Sequence, residues 1–172
     1  MRCISILSLL FVFSCSTQDD CDNPVDCLPL LTTTGEGTIG CLIKGKPFKP
    51  GGSQLGGPTQ QAFYQYVENG FHFGLSGDNK SSNTSINIVL RNIEIEENKV
   101  YSLDVAESDL NYGESNYNST FFQTSEIYTG EILFTNFDDL NGIVSGTFWF
   151  DALSEDGEVV EIREGRFDMK YY

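Results

Sequence analysis

Val144, Gly146, Phe148, Phe150 and Ala152 alternate with Ser145, Thr147, Trp149 and Asp151. Side chains two residues apart share one face of a pleated strand, whereas a helix would scatter them around its axis. The run is bracketed by Asn141-Gly142 and Asp156-Gly157. These dipeptides supply the left-handed backbone that tight hairpins need. A chain with this grammar is committed to antiparallel strands, and the same grammar recurs along most of its length.

Thr38–Lys44 reads as a strand that turns at Lys44-Gly45 into Lys46–Lys49, with Pro47 marking an edge. Residues 50–58 form a Gly/Pro-rich loop. Gln61–Glu68 and Phe71–Gly77 flank Asn69-Gly70, the expected hairpin turn. Residues 78–83 read as a polar loop. Ile86, Ile88 and Leu90 alternate in Ser85–Arg91, and Ile93 and Ile95 follow with the same two-residue spacing. Val100–Val105, Phe121–Gln123 and Tyr128–Asn136 are further strands, and residues 106–120 are the longest irregular stretch, with a single helical turn at Val105–Leu110. Val160 and Ile162 are apolar at even positions, whereas Phe167, Met169 and Tyr171 are apolar at odd ones. A β-bulge at Gly165 between them reconciles the two phases. The pattern predicts one all-β domain over residues 38–172, an antiparallel β-sandwich or a partly closed barrel, with its sheet order left open. Thirteen Phe and eight Tyr supply the area for its core.

The first residues read as an address. Met1-Arg2 is a short positive start, followed by the apolar run Ile4–Phe13, interrupted by Ser5 and Ser8. That run is too short to span a bilayer, which takes about 20 residues, and suits the core of a signal peptide. It ends in Val12-Phe13-Ser14-Cys15, which resembles the bacterial lipobox, with an aliphatic residue three before the cysteine and a small one just before it. Phe13 departs from the smaller residue usual at its place. The resemblance implies a signal peptide at 1–14, cleavage before Cys15 and diacylglycerol on the Cys15 sulfur; two or three acyl chains hold a protein at a membrane almost permanently. The alternative is an ordinary secretory signal. Ser16-Thr17-Gln18-Asp19-Asp20 resembles the acidic tag that exports lipoproteins to the outer face of the outer membrane in Bacteroidota, against a periplasm-facing anchor or a plain acidic linker.

Residues 15–37 have few large apolar side chains and read as a lipidated cysteine followed by a disordered tether. Cys3 leaves with the signal, so Cys21, Cys27 and Cys41 remain. In an oxidising compartment two of them pair. Cys21 and Cys27 enclose a Pro-based turn and are the preferred pair, with Cys27–Cys41 as the alternative and a buried Cys41 thiol as the ordinary core residue left over.

The formal charge is −15, from 25 acidic and 10 basic residues. Loss of residues 1–14 removes Arg2 and no acid, so the mature chain is more negative still. A field of that sign repels phosphate backbones and excludes nucleic acid as a partner.

Leu28-Pro29, Thr32-Thr33-Thr34-Gly35 and Thr38–Phe48, taken with Gly142–Phe150 and the closing Gly165-Arg166-Phe167-Asp168, resemble a family of small Bacteroidota lipoproteins with a domain of unknown function. The resemblance implies the compartment and an all-β fold. It carries no activity, no cofactor and no catalytic residue. Lys44 stands where an Asn is expected before Gly45.

No motif for chemistry stands out. His72 is the sole imidazole on which a Ser–His–acid triad would depend, and its alternation with Phe71 and Phe73 puts it on an outer face. Asp138-Asp139-Leu140-Asn141-Gly142 and Asp151 with Glu155-Asp156-Gly157-Glu158 are oxygen-rich, but their spacing is that of turns rather than of a calcium loop. A zinc site would need more Cys or His at ligand spacing. Asp104, Glu107, Asp109 and Glu114 are the acids from which a glycosidase pair would be drawn. Tyr64, Tyr66, Tyr112, Tyr117 and Trp149 are candidates for an aromatic platform or for core. The expectation is a lipid-anchored envelope protein without enzymatic activity, with a binding or structural role toward a protein or glycan partner. The alternatives are a carrier of a small apolar ligand inside a barrel and an extracellular glycan-acting hydrolase.

Overall fold

A computed structural model describes residues 21–104 and 111–172. Cys15, Glu107, Asp109 and the turn expected at Val105–Leu110 lie outside the described residues. The strands are β1 (Thr38–Ile43), β2 (Lys46–Phe48), β3 (Gln60–Val67), β4 (Gly70–Asn79), β5 (Thr84–Arg91), β6 (Val100–Leu103), β7 (Tyr112–Tyr117), β8 (Thr120–Gln123), β9 (Gly130–Asp138), β10 (Ile143–Leu153) and β11 (Val159–Lys170). They form one antiparallel sheet in the order β2-β1-β11-β10-β8-β7-β5-β4-β3, with β6 paired to β9 and β9 paired to β10.

The sheet curls without closing. Ala62 of β3 makes a single parallel bridge to Tyr171, and the Tyr64 N–H donates to the Tyr172 carbonyl. Tyr64 packs there against Phe71, Phe137 and Tyr171, with ring centroids 5.0, 5.2 and 5.9 Å away. The partly closed barrel is therefore the better of the two expected architectures. Its interior is occupied by Phe73, Phe122, Phe134 and Phe150, each at most 1% exposed. Phe134 meets Phe73 edge-on at 5.1 Å and Phe167 at 5.9 Å, the geometry that ring quadrupoles favour.

Turn chemistry explains the hairpins and corrects one of them. β1 and β2 are joined by Lys44 (φ 48°) and Gly45 (φ 77°), so a lysine takes the left-handed position usually given to Asn. In the β3–β4 hairpin Val67 pairs with Gly70, and the loop is Glu68 (φ 51°) and Asn69 (φ 68°) rather than the expected Asn69-Gly70. Gly70 is needed for another reason: a Cβ there would lie 2.1 Å from the Asn92 side-chain oxygen. Residues 111–123, read largely as irregular, form the β7–β8 hairpin through Asn118 (φ 53°) and Ser119 (φ 66°). Its inward residues are Gly113 and Ser115, and a Cβ on Gly113 would meet the Phe150 ring at 2.9 Å. The neighbour's ring, not the strand's own side chains, fills the core beneath β7. Ile95 is buried as expected, but β5 ends at Arg91.

The bulge near Gly165 is present. Phe148 pairs with Gly165 and Phe150 with Ile162, so Arg163 and Glu164 together oppose Trp149. Glu164 takes φ 54°. The same slip appears against β1, where Gly40 pairs with Arg166 and Leu42 with Arg163. Val160 and Ile162 before it, and Phe167 and Met169 after it, all reach the core.

Residues 21–36, expected to be part of a tether, make specific contacts with the β-domain. Cys21 and Cys27 are joined by a disulfide, and a 3-10 turn at Pro24–Cys27 is capped by the Asn23 side chain. Pro29 covers Gly40, where a Cβ would lie 2.4 Å from the Pro29 ring. Residues 32–36 then wrap Asp168, 1% exposed on the outer side of β11. Its carboxylate accepts from the hydroxyls of Thr32 (2.6 Å) and Ser145 (2.7 Å) and from the backbone N–H groups of Thr34 (3.1 Å), Gly35 (2.8 Å) and Glu36 (3.1 Å). Burial on its own would raise the Asp168 pKa; these donors outweigh it and hold the carboxyl below the usual range. The polar residues 32–36 are thus ordered by one acid more than 130 positions away in the chain.

Candidate functional site

The bulge shapes a groove on the outer face of β6, β9, β10 and β11. Doubling two residues against one re-aims side chains, and here it brings Arg163 over Trp149. The guanidinium carbon lies 5.6 Å from the indole centroid, within cation–π range. Trp149 stands directly opposite Glu131 in the β9–β10 register, and its Nε1–H donates to that carboxylate at 3.2 Å. Arg163 is held in turn by the carbonyls of Ile162 (2.9 Å) and Phe150 (3.2 Å) and by Asp151 (2.7 Å). Arg166 reaches Glu164 and the Pro29 carbonyl.

These groups line an open concavity of about 490 Å³. Its floor is Thr147, Phe148 and Gly165; a Cβ on Gly165 would lie 2.4 Å from the Phe148 ring. Leu31 of the strap stands on one wall, 63% exposed, and Val100 of β6 on the other, 52% exposed. Trp149 remains 37% exposed, so part of its ring is open to a ligand. The exposed ion pairs add little stability. Their effect is positional: they fix the indole and both guanidinium groups before anything binds. The arrangement offers an aromatic surface, an apolar wall and charges of both signs. Ligand sites combine the same elements, an apolar lining with a few placed polar groups.

Other sequence candidates fall elsewhere. His72 lies on the outer side of β4, with Nε2 3.1 Å from the Val67 carbonyl. Asp138 serves its own turn: it accepts from the N–H groups of Leu140 and Asn141 (both 3.1 Å) and from the Asn141 side chain (2.6 Å). Those bonds, the Asn141 side chain first, hold its carboxyl below the usual range. In the second oxygen-rich turn the Ser154 hydroxyl accepts from the Glu158 N–H at 3.0 Å, while Asp151 turns away to Arg163. Glu114 accepts from Gln123 at 3.1 Å, and burial raises its pKa. The aromatic platform is divided. Tyr64 and Tyr66 both pack on Phe71 near the seam, Tyr117 packs against the core, and Trp149 alone enters the groove. Cys41 is a buried thiol whose pKa burial pushes up.

Arg163, Arg166, Glu131 and Leu31 are groove residues that sequence reasoning does not find. The phase break at Gly165 is the one signal in the chain that points to them. Among the described residues no helix is long and apolar enough to cross a membrane.

A family model described as a domain of unknown function, DUF6252, matches residues 61–169, which span β3 to β11. No curated protein and no solved structure matches.

Proposed function

The chain belongs to the DUF6252 family of domains of unknown function, and from that premise we propose that it is a lipid-anchored protein of the bacterial envelope with a binding role and no catalytic one. In this reading Cys15 carries the acyl chains, the anchor lies in the outer membrane, and the β-domain faces the cell surface. The signal-like run Ile4–Phe13 with Val12-Phe13-Ser14-Cys15 supports the anchor. The Cys21–Cys27 disulfide supports an oxidising compartment.

The observation that carries the binding role is the groove at Trp149. Its indole is pinned at the nitrogen by Glu131 and covered on one side by Arg163. A ring already held in place gives up little side-chain freedom when a partner lands on it. The partner is a glycan or a polypeptide segment, since both combine apolar faces with hydrogen-bonding groups.

Trp149 is the chain's one tryptophan, so its fluorescence reports on the groove directly. Titration with envelope glycans and with peptide pools is expected to shift and saturate that emission for one class. Arg163→Ala should weaken the response and His72→Ala should not. A groove silent to both classes, with bound partners recovered on another face, would remove this assignment. For the anchor, cells fed a fatty-acid analogue should label the protein, and Cys15→Ala should abolish the label.

A further inference from the structure

The charges that line the groove at Trp149 cancel. Glu131 and Glu164 stand against Arg163 and Arg166. Both guanidinium groups are already engaged, Arg166 by Glu164 at 3.4 Å and Arg163 by Asp151 at 2.7 Å and Glu161 at 3.4 Å. With Asp151 and Glu161 counted, the surroundings are acidic, and the chain as a whole carries −15. An anionic ligand is therefore repelled. Each lining carboxylate spends one oxygen inside the protein, Glu131 on the Trp149 Nε1–H and Glu164 on Arg166. The second oxygen of each is left to accept. A hydroxyl can donate there without adding charge.

The floor of the groove disfavours a peptide. β10 is paired to β9 on one side and to β11 on the other; β11 is also paired to β1, and β9 to β6. The main-chain edges of all three floor strands are thus taken. β6 keeps a free edge, but that edge points away from β9 and so away from the floor. An extended peptide brings an N–H and a C=O with every residue, and adding a strand to an open sheet edge is one common way to satisfy them. This groove lies on the face of a sheet. A saccharide brings hydroxyls, which side chains and water satisfy, and an apolar C–H face that can rest on the negative face of an indole. From β11 to β6 the floor crosses three strand spacings, roughly 14 Å, which is longer than one sugar ring. The concavity is also open rather than enclosed, so it suits a stretch within a chain.

We infer that the groove takes an uncharged oligosaccharide, with one ring on the free side of Trp149 and hydroxyls donating to Glu131 and Glu164. This rests on the binding role given above and names its ligand class. Leu31 and Val100 flank the chain on either side.

The test uses the full chain in a zwitterionic detergent and reads the emission of Trp149. The probes are uncharged oligosaccharides of glucose, mannose, xylose and N-acetylglucosamine, an oligogalacturonate of equal length, and two peptides, one proline-rich and one basic. At least one uncharged oligosaccharide is expected to give a saturating change that salt leaves unaltered. Its monosaccharide and the oligogalacturonate should bind many-fold more weakly. Calorimetry should show binding abolished by Trp149→Ala and weakened several-fold by Leu31→Ala, which trims a wall and leaves the sheet intact. Saturation by a peptide alone refutes the saccharide assignment and leaves the groove a binding site. Tighter binding of the oligogalacturonate, or an affinity that collapses in salt, refutes the uncharged ligand. Silence toward every saccharide overturns the inference. Silence toward the peptides too, with a partner recovered on another face, removes the binding role of the groove with it.

Discussion

Replacing Asp168 with Asn removes one charge and keeps the shape, and the structure says what that costs. Oδ2 of Asp168 accepts from Thr32, Thr34 and Glu36, and Oδ1 from Gly35 and Ser145. The new amide can turn either way. With its NH2 on the Oδ2 side it faces the N–H groups of Thr34 and Glu36, two donors that cannot reverse. With its NH2 on the Oδ1 side it faces the Gly35 N–H, while the Ser145 hydroxyl can rotate to accept. The second orientation is the cheaper one. It strands one backbone donor and replaces charge-assisted bonds, worth about 1.5–3 kcal/mol each, by neutral ones. We expect Asp168→Asn to lose about 2–4 kcal/mol at pH 7, a fall in Tm of roughly 5–15 °C for a domain of this size. The assay is urea unfolding of both proteins across pH. The folded carboxyl is held below its unfolded value, so its contribution is fully present above the unfolded pKa, about 3.9. It fades as pH falls through the folded one. The gap between the two proteins should therefore close in acid. A gap under about 0.5 kcal/mol at neutral pH, within the range of ordinary surface substitutions, refutes the argument, and so does a gap that does not narrow in acid.

Three further outcomes follow from packing and burial. Gly146→Ala places a Cβ 2.1 Å from the Leu133 carbonyl oxygen and 2.8 Å from the Phe167 ring; calorimetry should show a loss of about 2–4 kcal/mol. Ser115→Ala removes a buried hydroxyl that has no hydrogen-bond partner among the described residues; unfolding in urea should show a gain of about 1 kcal/mol in stability, and a loss would mean that the hydroxyl is satisfied. Cys41 should resist a thiol reagent in the native protein and react once urea unfolds it, because its thiol is buried and its pKa raised.

Most strands were legible because their inward residues are large. Ile86, Ile88 and Leu90, or Phe148 and Phe150, announce a pleat without help from elsewhere. The β7–β8 hairpin was hidden because Gly113 and Ser115 yield their space to Phe150, and a strand whose core is filled by its neighbour carries no hydrophobic period. The strap at 28–36 carries no strand or helix signal for a related reason: residues 32–36 are ordered by their donors to Asp168, and no local pattern reveals a partner so distant. The turn at Glu68-Asn69 was displaced by one residue because Gly70 looks like turn chemistry while its role is to let Asn92 approach. For the groove, the phase break at Gly165 was visible. That it sets Arg163 over Trp149 depends on the β10–β11 register, which the sequence does not contain. The Cys21–Cys27 pair is the one that the short Pro-containing loop favours over Cys27–Cys41.

β1 finds its long partner only in β11, with Thr38 opposite Asp168. A polypeptide that emerges amino end first, from a ribosome or through a translocation pore, presents β1 and the strap long before the segment that completes them has been made or moved. Until Val159–Lys170 arrives, both lack the strand that seats them. Such a topology postpones final assembly to the last moment of synthesis or transport, and it leaves the nascent chain loose enough to be threaded.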